Sequence, residues 1–393
     1  MAASYQIIID TELFSLILYT YLNAMKRLVK IKAILGFLLF SAVAAYAQEN
    51  KSYIYTDAST FPIYGKAIPN TSATYERLPS SLEGVIRQPV WGLAHHSSGI
   101  SVRFRSNSPS IKLRWISFGL ATMNHMTDTG TRGLDLYTQD PIDGHWRFAR
   151  SARPQKDTLN DIVVIGNMEP VMREYIVYFS LYEGVKKLEI GVEEGSVIDQ
   201  PALDSPKKGS PIVMYGTSIL QGGCANRPGM AFTNIISREL DREVVNLGFS
   251  GNARLDYEIA ELMASVEDPS LFVLDNVPNC EASLIDEREE RFFRIIRDAH
   301  PDVPVVFVEN PNYPHTVFDQ KAAADVAARN ASMRAVYEKL KKAGEKRIYY
   351  IKGDKMLGTD GEATVDGVHF TDLGMVRYTE YVLPTLKKAL RKR

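Results

Sequence analysis

The chain has 393 residues, enough for two hydrophobic cores, because a single core rarely grows beyond about 250–300 residues. Its hydrophobic content of 45% and charged content of 24% are ordinary for a globular protein. A formal net charge of −1 gives no electrostatic reason to expect a nucleic-acid partner, and we predict none.

A predicted export signal occupies residues 1–47. Residues 25–32 (MKRLVKIK) are basic, residues 33–45 are almost entirely apolar, and the A-Y-A sequence ending at Ala47 has the form of a signal-peptidase site. The residues before Met25 fit this pattern poorly, so Met25 is a candidate true start. The alternative is a membrane anchor, but the apolar run is shorter than the ~20 residues that a span needs. We therefore expect an exported protein, periplasmic or extracellular, without stable membrane insertion after cleavage.

Residues 48–200 are predicted to form an all-β domain. Alternating apolar and polar residues at 100–105 and 111–116 indicate two strands joined by a turn, and a second hairpin is predicted around Gly144. Two more strands are predicted on either side of Gly184. Short strands separated by turn residues favour a β-sandwich of jelly-roll type.

Residues 201–210, rich in Pro, Ser and Lys, are predicted to be a linker, and residues 211–393 then alternate strands with helices. This alternation predicts an α/β domain with three α/β/α layers around a parallel sheet, as in flavodoxin-like folds. We expect the last helix to bend or break at Pro384. The predicted strands are 211–215, 244–247, 271–274, 305–308 and 348–351, and the predicted helices are 230–240, 257–266, 287–299, one within 319–342, and 372–390.

Chemically useful side chains follow four of the predicted strands. Ser218 lies after the first strand, Gly251 after the second, Asn279 after the third, and Asp366 and His369 after the last. Because ligands bind at the carboxyl ends of parallel strands, these residues are expected to meet. They supply a nucleophile, a base with its orienting carboxylate, and hydrogen-bond donors for an oxyanion.

Each residue taken singly has a structural alternative. Serine is favoured at helix caps, so Ser218 alone is as well explained by a strand-to-helix turn. Asn279 also suits a helix cap, Gly251 suits a turn, and a lone histidine is most often a structural residue. The ordered set of residues favours catalysis, while Thr371 and the residue after it are expected to cap the last helix.

The segments GTSILQGG, NLGFSGN, DNVPNC and DGVH resemble the signatures of the SGNH (GDSL-type) hydrolase superfamily. The resemblance implies that Ser218 is the nucleophile, that His369 is the base and that Asp366 orients it. It implies an oxyanion hole formed by the Ser218 and Gly251 N–H groups and the Asn279 side chain. The third segment departs from the usual pattern, which leaves Asn276 as a rival of Asn279.

The segment GLDLY at residues 133–137 resembles the G-x-D-L-Y signature of a β-sandwich domain that precedes the hydrolase domain in an exported bacterial subfamily. GGCANRPGMAF, after the serine, is similar to the same subfamily. Leu134 and Leu136 are expected to face one side of their strand, and Asp135 and Tyr137 the other. The sequence leaves the role of Asp135 open.

The resemblance implies an exported serine esterase that needs no metal or organic cofactor. It implies a carbohydrate esterase that removes acetyl groups from polysaccharide, with an acylated carbohydrate or another small ester as substrate. The alternatives are a lipase or broad acylhydrolase, and a non-catalytic glycan-binding protein with a degenerate hydrolase domain. The sequence does not indicate the oligomeric state.

The two cysteines, Cys224 and Cys280, follow the predicted nucleophile and oxyanion residues, so a disulfide between their loops is possible; the alternative is two buried thiols. Histidines in the predicted sandwich lack the spacing of metal ligands, and no metal site is predicted there. These histidines are His95, His96, His125 and His145.

Overall fold

The computed structural model describes residues 2–49, 52–139 and 143–391, which form two compact units divided after Tyr53. The first unit is a single helix, α1 (Ala2–Glu49). Among the described residues, no helix combines the length and the apolar character that crossing a membrane requires. The predicted export signal falls on α1 and stays a prediction.

The second unit begins with two antiparallel sheets that pack face to face. The elements are β1 (Tyr53–Asp57), β2 (Ile63–Tyr64), α2 (Gln88–Ala94), β3 (Ser101–Ser106), β4 (Ile111–Ser117), α3 (Asp128–Arg132), β5 (Leu134–Gln139), β6 (Trp146–Ala152), β7 (Leu159–Ile165), β8 (Arg173–Tyr178), β9 (Val185–Glu193) and β10 (Ile198–Asp199). One sheet has the order β1-β9-β4-β7 and the other β10-β3-β8-β5-β6, with β2 also beside β3. Side chains of both sheets share one apolar core that includes Phe104, Trp115 and Leu136. This confirms the β-sandwich.

The predicted strands are present, but the pairing predicted for the first hairpin, between β3 and β4, is wrong. The hairpin around Gly144 is confirmed, since β5 pairs with β6. However, β3 pairs with β8 while β4 pairs with β7 and β9 in the other sheet, so the turn between β3 and β4 crosses between sheets. The turn at Gly184 crosses in the same way. Alternation identifies the buried face of a strand but does not identify its partner.

The rest of the unit alternates strands and helices. Its elements are β11 (Lys207–Gly216), α4 (Ser218–Gln221), α5 (Phe232–Glu239), β12 (Arg242–Gly248), α6 (Tyr257–Ala264), β13 (Leu271–Asp275), α7 (Ala282–Ala299), β14 (Val305–Val308), α8 (Gln320–Lys342), β15 (Ile348–Ile351) and α9 (Asp372–Leu390). The sheet has the order β12-β11-β13-β14-β15 and is parallel throughout. Helix α9 continues through Pro384.

Two apolar cores cover the two faces of the parallel sheet. Val213 and Tyr215 of β11 pack in one core with side chains of α6 and α7. Ile212 and Met214, which point the other way, pack in a second core with side chains of α5 and α9. Both faces of the strands are therefore buried, as expected for a parallel sheet, and the predicted three-layer α/β/α fold is confirmed.

Buried arginines join the sandwich to the α/β layers. Arg103 of β3 donates hydrogen bonds to the carbonyl oxygens of Leu203 (2.6 Å) and Pro206 (3.2 Å), which lie in the segment predicted to be a linker. Strand β11 begins at Lys207, inside that segment. Arg77, only 1% exposed, donates to the Gly248 carbonyl oxygen at 2.6 Å, where β12 ends. The segment predicted as a linker is therefore held by hydrogen bonds along its length.

A buried carboxyl group supports the loop that follows β13. Glu289 of α7 is fully buried, and its Oε2 accepts a hydrogen bond from Nδ2 of Asn276 at 2.8 Å. Burial raises the pKa of Glu289 to about 7. The other oxygens of the pair, Glu289 Oε1 and Asn276 Oδ1, are buried without hydrogen-bond partners. The hydrogen bond from Asn276 favours the carboxylate, but the effect of burial is larger and favours the neutral acid.

We expect this pair to make stability depend on pH. The folded protein keeps the Glu289 proton to a pH near 7, whereas the unfolded chain releases it near 4.5, so stability should fall as pH rises between these values. Glu289 should contribute about 3 kcal/mol to this fall in the free energy of unfolding, since a tenfold change in a protonation equilibrium corresponds to about 1.4 kcal/mol. Urea unfolding at about pH 5 and about pH 8 measures it.

The Glu289→Gln variant should lose the Glu289 part of this slope, because glutamine pairs with Asn276 without titrating, while the buried Asp275, whose pKa burial also raises to about 7, keeps its own part. Glu290→Gln, on the neighbouring and partly exposed position of α7, is the matched control and should keep the wild-type slope. An unchanged slope in Glu289→Gln would show that Glu289 is ionised in the folded protein.

Candidate active site

Ser218 lies in a tight turn between β11 and α4. A Cβ on Gly216, the last residue of the strand, would lie 2.6 Å from the carbonyl oxygen of Asp275, so only glycine fits. Thr217 caps the helix, and its Oγ1 accepts a hydrogen bond from the Ile219 N–H at 3.3 Å. The cap is therefore Thr217 and not Ser218. As the first helical residue, Ser218 has an N–H without an intrahelical partner.

Asp366 and His369 are brought together by the loop before α9. Oδ1 of Asp366 accepts hydrogen bonds from the backbone N–H groups of Val368 (3.0 Å) and His369 (2.8 Å), and Oδ2 meets Nδ1 of the His369 ring at 2.7 Å. The predicted cap of α9 is confirmed, since Thr371 Oγ1 accepts a hydrogen bond from the Gly374 N–H at 3.2 Å. The capped helix fixes the end of the loop.

A chain of hydrogen bonds runs from Asp366 through His369 to Ser218. The Ser218 Oγ lies 2.9 Å from His369 Nε2. Partial burial works against the ionised form of Asp366, but the hydrogen bonds from the His369 ring and from two N–H groups outweigh it and lower its pKa to about 2. An ionised Asp366 accepts the Nδ1 proton of His369, which leaves Nε2 free to accept the serine proton.

Gly251 and Asn279 line the same cleft as Ser218 and His369, a cavity of about 440 Å³. Gly251 has a φ of +67°, in the left-handed region that favours glycine. Oδ1 of Asn279 accepts a hydrogen bond from the Ala253 N–H at 3.3 Å, which leaves the Nδ2 amide as a donor. The structure therefore brings together all five residues that the sequence placed at strand ends.

The rival asparagine lies elsewhere. Asn276 is fully buried and its amide is bonded to Glu289, so it supports the loop from behind and does not line the cleft. Burial distinguishes it from Asn279, and the sequence contains no signal for this difference.

Gln221 was not predicted, although it lies within the GTSILQGG segment. It is fully buried, and its Oε1 accepts a hydrogen bond from the Ser250 N–H at 3.0 Å. Its Nε2 meets Nδ1 of His96 at 3.0 Å. Burial, together with the nearby charge of Arg77, lowers the pKa of His96 to about 4, so this ring is a neutral acceptor. Gln221 thus ties the loop that holds Gly251 to the helix that begins at Ser218.

Asp135 reaches the segment after the serine turn and does not line the cleft. Its carboxylate is fully buried, and Oδ2 accepts hydrogen bonds from Arg227 Nη1 (2.9 Å) and from the Gly229 N–H (2.8 Å). Oδ1 accepts one from the Ser151 hydroxyl at 2.5 Å. The neighbouring Tyr137 hydroxyl also lies 2.7 Å from Arg227 Nη1. The polar face of the GLDLY strand therefore holds residues 227–229.

The segment after the serine turn is also held from its other side by Asp372, the first residue of α9. Asp372 accepts hydrogen bonds from the Asn226 backbone N–H (2.9 Å) and from its Nδ2 (3.1 Å). Thr127 of the sandwich donates a hydrogen bond to the Asn226 carbonyl oxygen at 2.6 Å. The residues after the serine turn are thus fixed between the sandwich and the helix that follows His369.

Of the two alternatives for the cysteines, the structure supports two buried thiols and not a disulfide. Cys224 and Cys280 are free and buried. Cys224 packs in the core on the α5 and α9 side of the sheet, whereas Cys280 packs in the core on the α6 and α7 side. Cys280 Sγ donates a hydrogen bond to the Ala253 carbonyl oxygen at 3.1 Å. Loops that meet at one edge of a sheet still send side chains to opposite faces.

Comparison with known families agrees with this site. Residues 209–387 match the model of the GDSL-like lipase/acylhydrolase family, and residues 53–198 match the model described as the N-terminus of SGNH-hydrolase-type esterases. A solved Bacteroides ovatus protein, described as a candidate GDSL-like lipase, is 34% identical, with a TM-score of 0.82 over 86% of this chain and 98% of that chain. The chain belongs to the GDSL-like lipase/acylhydrolase family. It is an esterase of the GDSL/SGNH type, with the GxDLY domain at its N-terminal side.

More distant structures share the fold of this acylhydrolase. The salicylyl-acyltransferase SsfX3 from a tetracycline biosynthetic pathway is 17% identical, with a TM-score of 0.70 over 86% of this chain and 97% of that chain. A family two carbohydrate esterase from Cellvibrio japonicus is 12% identical, with a TM-score of 0.53 over 87% and 99% of the two chains. No curated protein matches the chain.

We expect Asp135→Asn to destabilise the acylhydrolase. Three donors converge on this carboxylate, and an asparagine amide nitrogen must face at least one of them. Loss of one partner of a buried charged pair costs on the order of 3 kcal/mol. Urea unfolding should therefore show a large loss of stability. If Asp135 positions the serine turn, the rate of ester hydrolysis by the folded variant should fall with little change in KM.

The control is Asp143→Asn. Asp143 forms an exposed ion pair with Arg147 four residues along the chain, and such pairs contribute about 1 kcal/mol or less. Equal stability losses in Asp135→Asn and Asp143→Asn would contradict a structural role for the buried carboxylate. A normal hydrolysis rate in folded Asp135→Asn would limit that role to stability.

Proposed function

We propose that Ser218 is the nucleophile of a serine esterase, with His369 as its base and Asp366 as the residue that orients His369. The observation that carries this proposal is the continuous chain of hydrogen bonds from the Asp366 carboxylate to the Ser218 hydroxyl at the wall of an open cleft. A serine hydroxyl attacks a carbonyl well only when a positioned base takes its proton.

The reaction proceeds in two halves. His369 Nε2 takes the Ser218 proton as Oγ attacks the ester carbonyl, and it then gives that proton to the departing alcohol. An acyl-enzyme remains on Ser218. Water attacks this ester while His369 again acts as base, and collapse of the second tetrahedral intermediate releases the acid and returns the proton to Ser218.

The developing oxyanion is held by the N–H groups of Ser218 and Gly251 and by Nδ2 of Asn279. Gly251 presents its backbone to the cleft with no heavy atom within 4 Å of where a Cβ would lie. Asn279 is oriented by the Ala253 N–H, which binds its oxygen and turns its nitrogen away. Donors fixed before the reaction stabilise the transition state without a cost of reorganisation.

We infer that the substrate is an acetylated polysaccharide, or another small acylated carbohydrate. Besides apolar side chains such as Val326 and Val368, the cleft is lined by Asn310 and by an ion pair between Asp325 and Arg329 with a separation of 2.8 Å. Charged and amide groups bind sugar hydroxyls well and stabilise a long hydrocarbon chain poorly. An exported enzyme, as the basic and apolar segment before Ala47 predicts, would meet such glycans outside the cytoplasm.

Replacement of Ser218 tests the mechanism. Ser218→Ala should lower kcat for nitrophenyl acetate by roughly 10⁴-fold or more, because the base has no nucleophile to activate. A fluorophosphonate should label Ser218 in the wild type, located by peptide mass spectrometry. Ser265→Ala, at the end of α6 and away from the cleft, is the control and should keep wild-type activity. Hydrolysis unchanged in Ser218→Ala, or labelling at another residue, would refute the mechanism.

Acyl chain length separates a deacetylase from a lipase. We expect kcat/KM for nitrophenyl acetate to exceed that for nitrophenyl octanoate by about tenfold or more, because a long chain would place hydrocarbon against Asn310 and the Asp325–Arg329 pair as well as against the apolar part of the lining. Acetate release from acetylated plant and bacterial glycans, compared between wild type and Ser218→Ala, identifies the natural substrate class. Faster hydrolysis of the octanoate would favour the lipase.

A further inference from the structure

Three side chains from distant parts of the sequence meet beside the proposed nucleophile. His125 lies in the loop between β4 and α3, Cys224 lies in the segment after α4, and His369 lies in the loop before α9. Each offers a ligand atom within 4.8 Å of those of the other two. The two imidazole rings are tilted to each other, with centroids 5.4 Å apart.

We propose that His125, Cys224 and His369 bind a thiophilic divalent cation, with Zn²⁺ as the representative ion, and that this ion inhibits the esterase. Two imidazoles and a thiolate are the ligand types that Zn²⁺ prefers. A tetrahedral zinc ion with bonds of about 2.0–2.3 Å draws its ligand atoms to about 3.3–3.6 Å from one another. Ligand atoms that lie within 4.8 Å of one another therefore need to approach by at most about 1.5 Å, which the half-buried His125 on its loop can provide.

The partners of the two histidines support this assignment. Histidines that bind metals usually donate their other ring N–H to a carboxylate or carbonyl oxygen, which fixes the tautomer. Nδ1 of His369 meets Asp366 at 2.7 Å, and Nδ1 of His125 meets the Asn124 side-chain oxygen at 3.0 Å. In both rings this arrangement leaves the Nε2 lone pair for a cation. Asp366 also brings a negative charge close to the cluster.

Binding and catalysis use the same atom. The His369 Nε2 that takes the Ser218 proton is the atom that the cation would take, so an occupied cluster leaves Ser218 without a base. As the ion binds, the Cys224 thiol releases its proton to solvent and the sulfur becomes a thiolate ligand. A water molecule completes the coordination. The inhibition rests on the proposed function, whereas the binding does not.

Binding is tested first in Ser218→Ala, which keeps all three ligands and carries no esterase activity. Titration calorimetry with Zn²⁺ should give one site per chain. Loss of even an outer partner of a metal ligand costs about 10–100-fold in affinity, so Cys224→Ala and His125→Gln should each weaken Kd by more than about tenfold. Co²⁺ should show thiolate-to-metal charge-transfer absorption that disappears in Cys224→Ala.

Cys280→Ala is the matched control, because it removes a buried thiol on the opposite face of the sheet and should leave Kd unchanged. His125→Gln alters a half-buried loop residue, so it tests the site even if Cys224→Ala fails to fold. Absence of one-to-one binding in Ser218→Ala would overturn the proposal. Unchanged affinity in both ligand variants would overturn it as well.

Inhibition is then measured in proteins that retain Ser218. Zn²⁺ should abolish nitrophenyl acetate hydrolysis by the wild type, and EDTA should restore it. Relative to its own metal-free rate, His125→Gln should need more than about tenfold more Zn²⁺ for half-inhibition. An active esterase that binds no Zn²⁺ would refute the metal site and leave the proposed function standing. Zn²⁺ binding in a protein without esterase activity would refute the proposed function and leave the metal site standing.

Discussion

The carboxylate of Asp135 is the fully buried one of the contacts through which the β-sandwich holds the residues that follow the serine turn. It binds Arg227 and the Gly229 N–H from one side, while Asp372 binds Asn226 from the other. A carboxylate without water is stable only when its lone pairs are filled, so the strand that carries Asp135 and the segment 226–229 constrain each other's position. The sandwich is therefore part of the support of the site, which accounts for a G-x-D-L-Y signature that lies outside the cleft.

The parallel sheet explains why much of the site could be predicted. Strands that run in one direction bring their carboxyl ends to one edge, so Ser218, Gly251, Asn279 and the Asp366–His369 pair could be expected to meet without knowledge of strand order. The residue type also fits the local backbone, since Gly251 has a φ in the left-handed region that favours glycine. The sequence could not decide between Asn276 and Asn279 as the cleft residue. The decision depends on which of the two amides forms a hydrogen bond with the buried Glu289.

Features that depend on long-range packing were missed for physical reasons. Period-two alternation assigns a face to each strand, but β3 and β4 show that successive strands can lie in different sheets. Cys224 and Cys280 follow neighbouring strand ends, yet their side chains enter cores on opposite faces of the sheet. The approach of His125 to His369 is a contact between separate layers, and spacing along the sequence carries no information about it.

The acid–base pair and the proposed cation site follow from the same electrostatic arrangement. Asp366, with its pKa lowered to about 2, remains ionised in any neutral environment and holds the His369 proton on Nδ1. In this tautomer the Nε2 lone pair faces the Ser218 hydroxyl at the wall of the cleft. A lone pair positioned to accept a proton is also positioned to accept a soft cation, and Cys224 and His125 supply further ligands beside it. Proton transfer and metal binding are therefore alternatives at one atom, and free metal concentration decides between them.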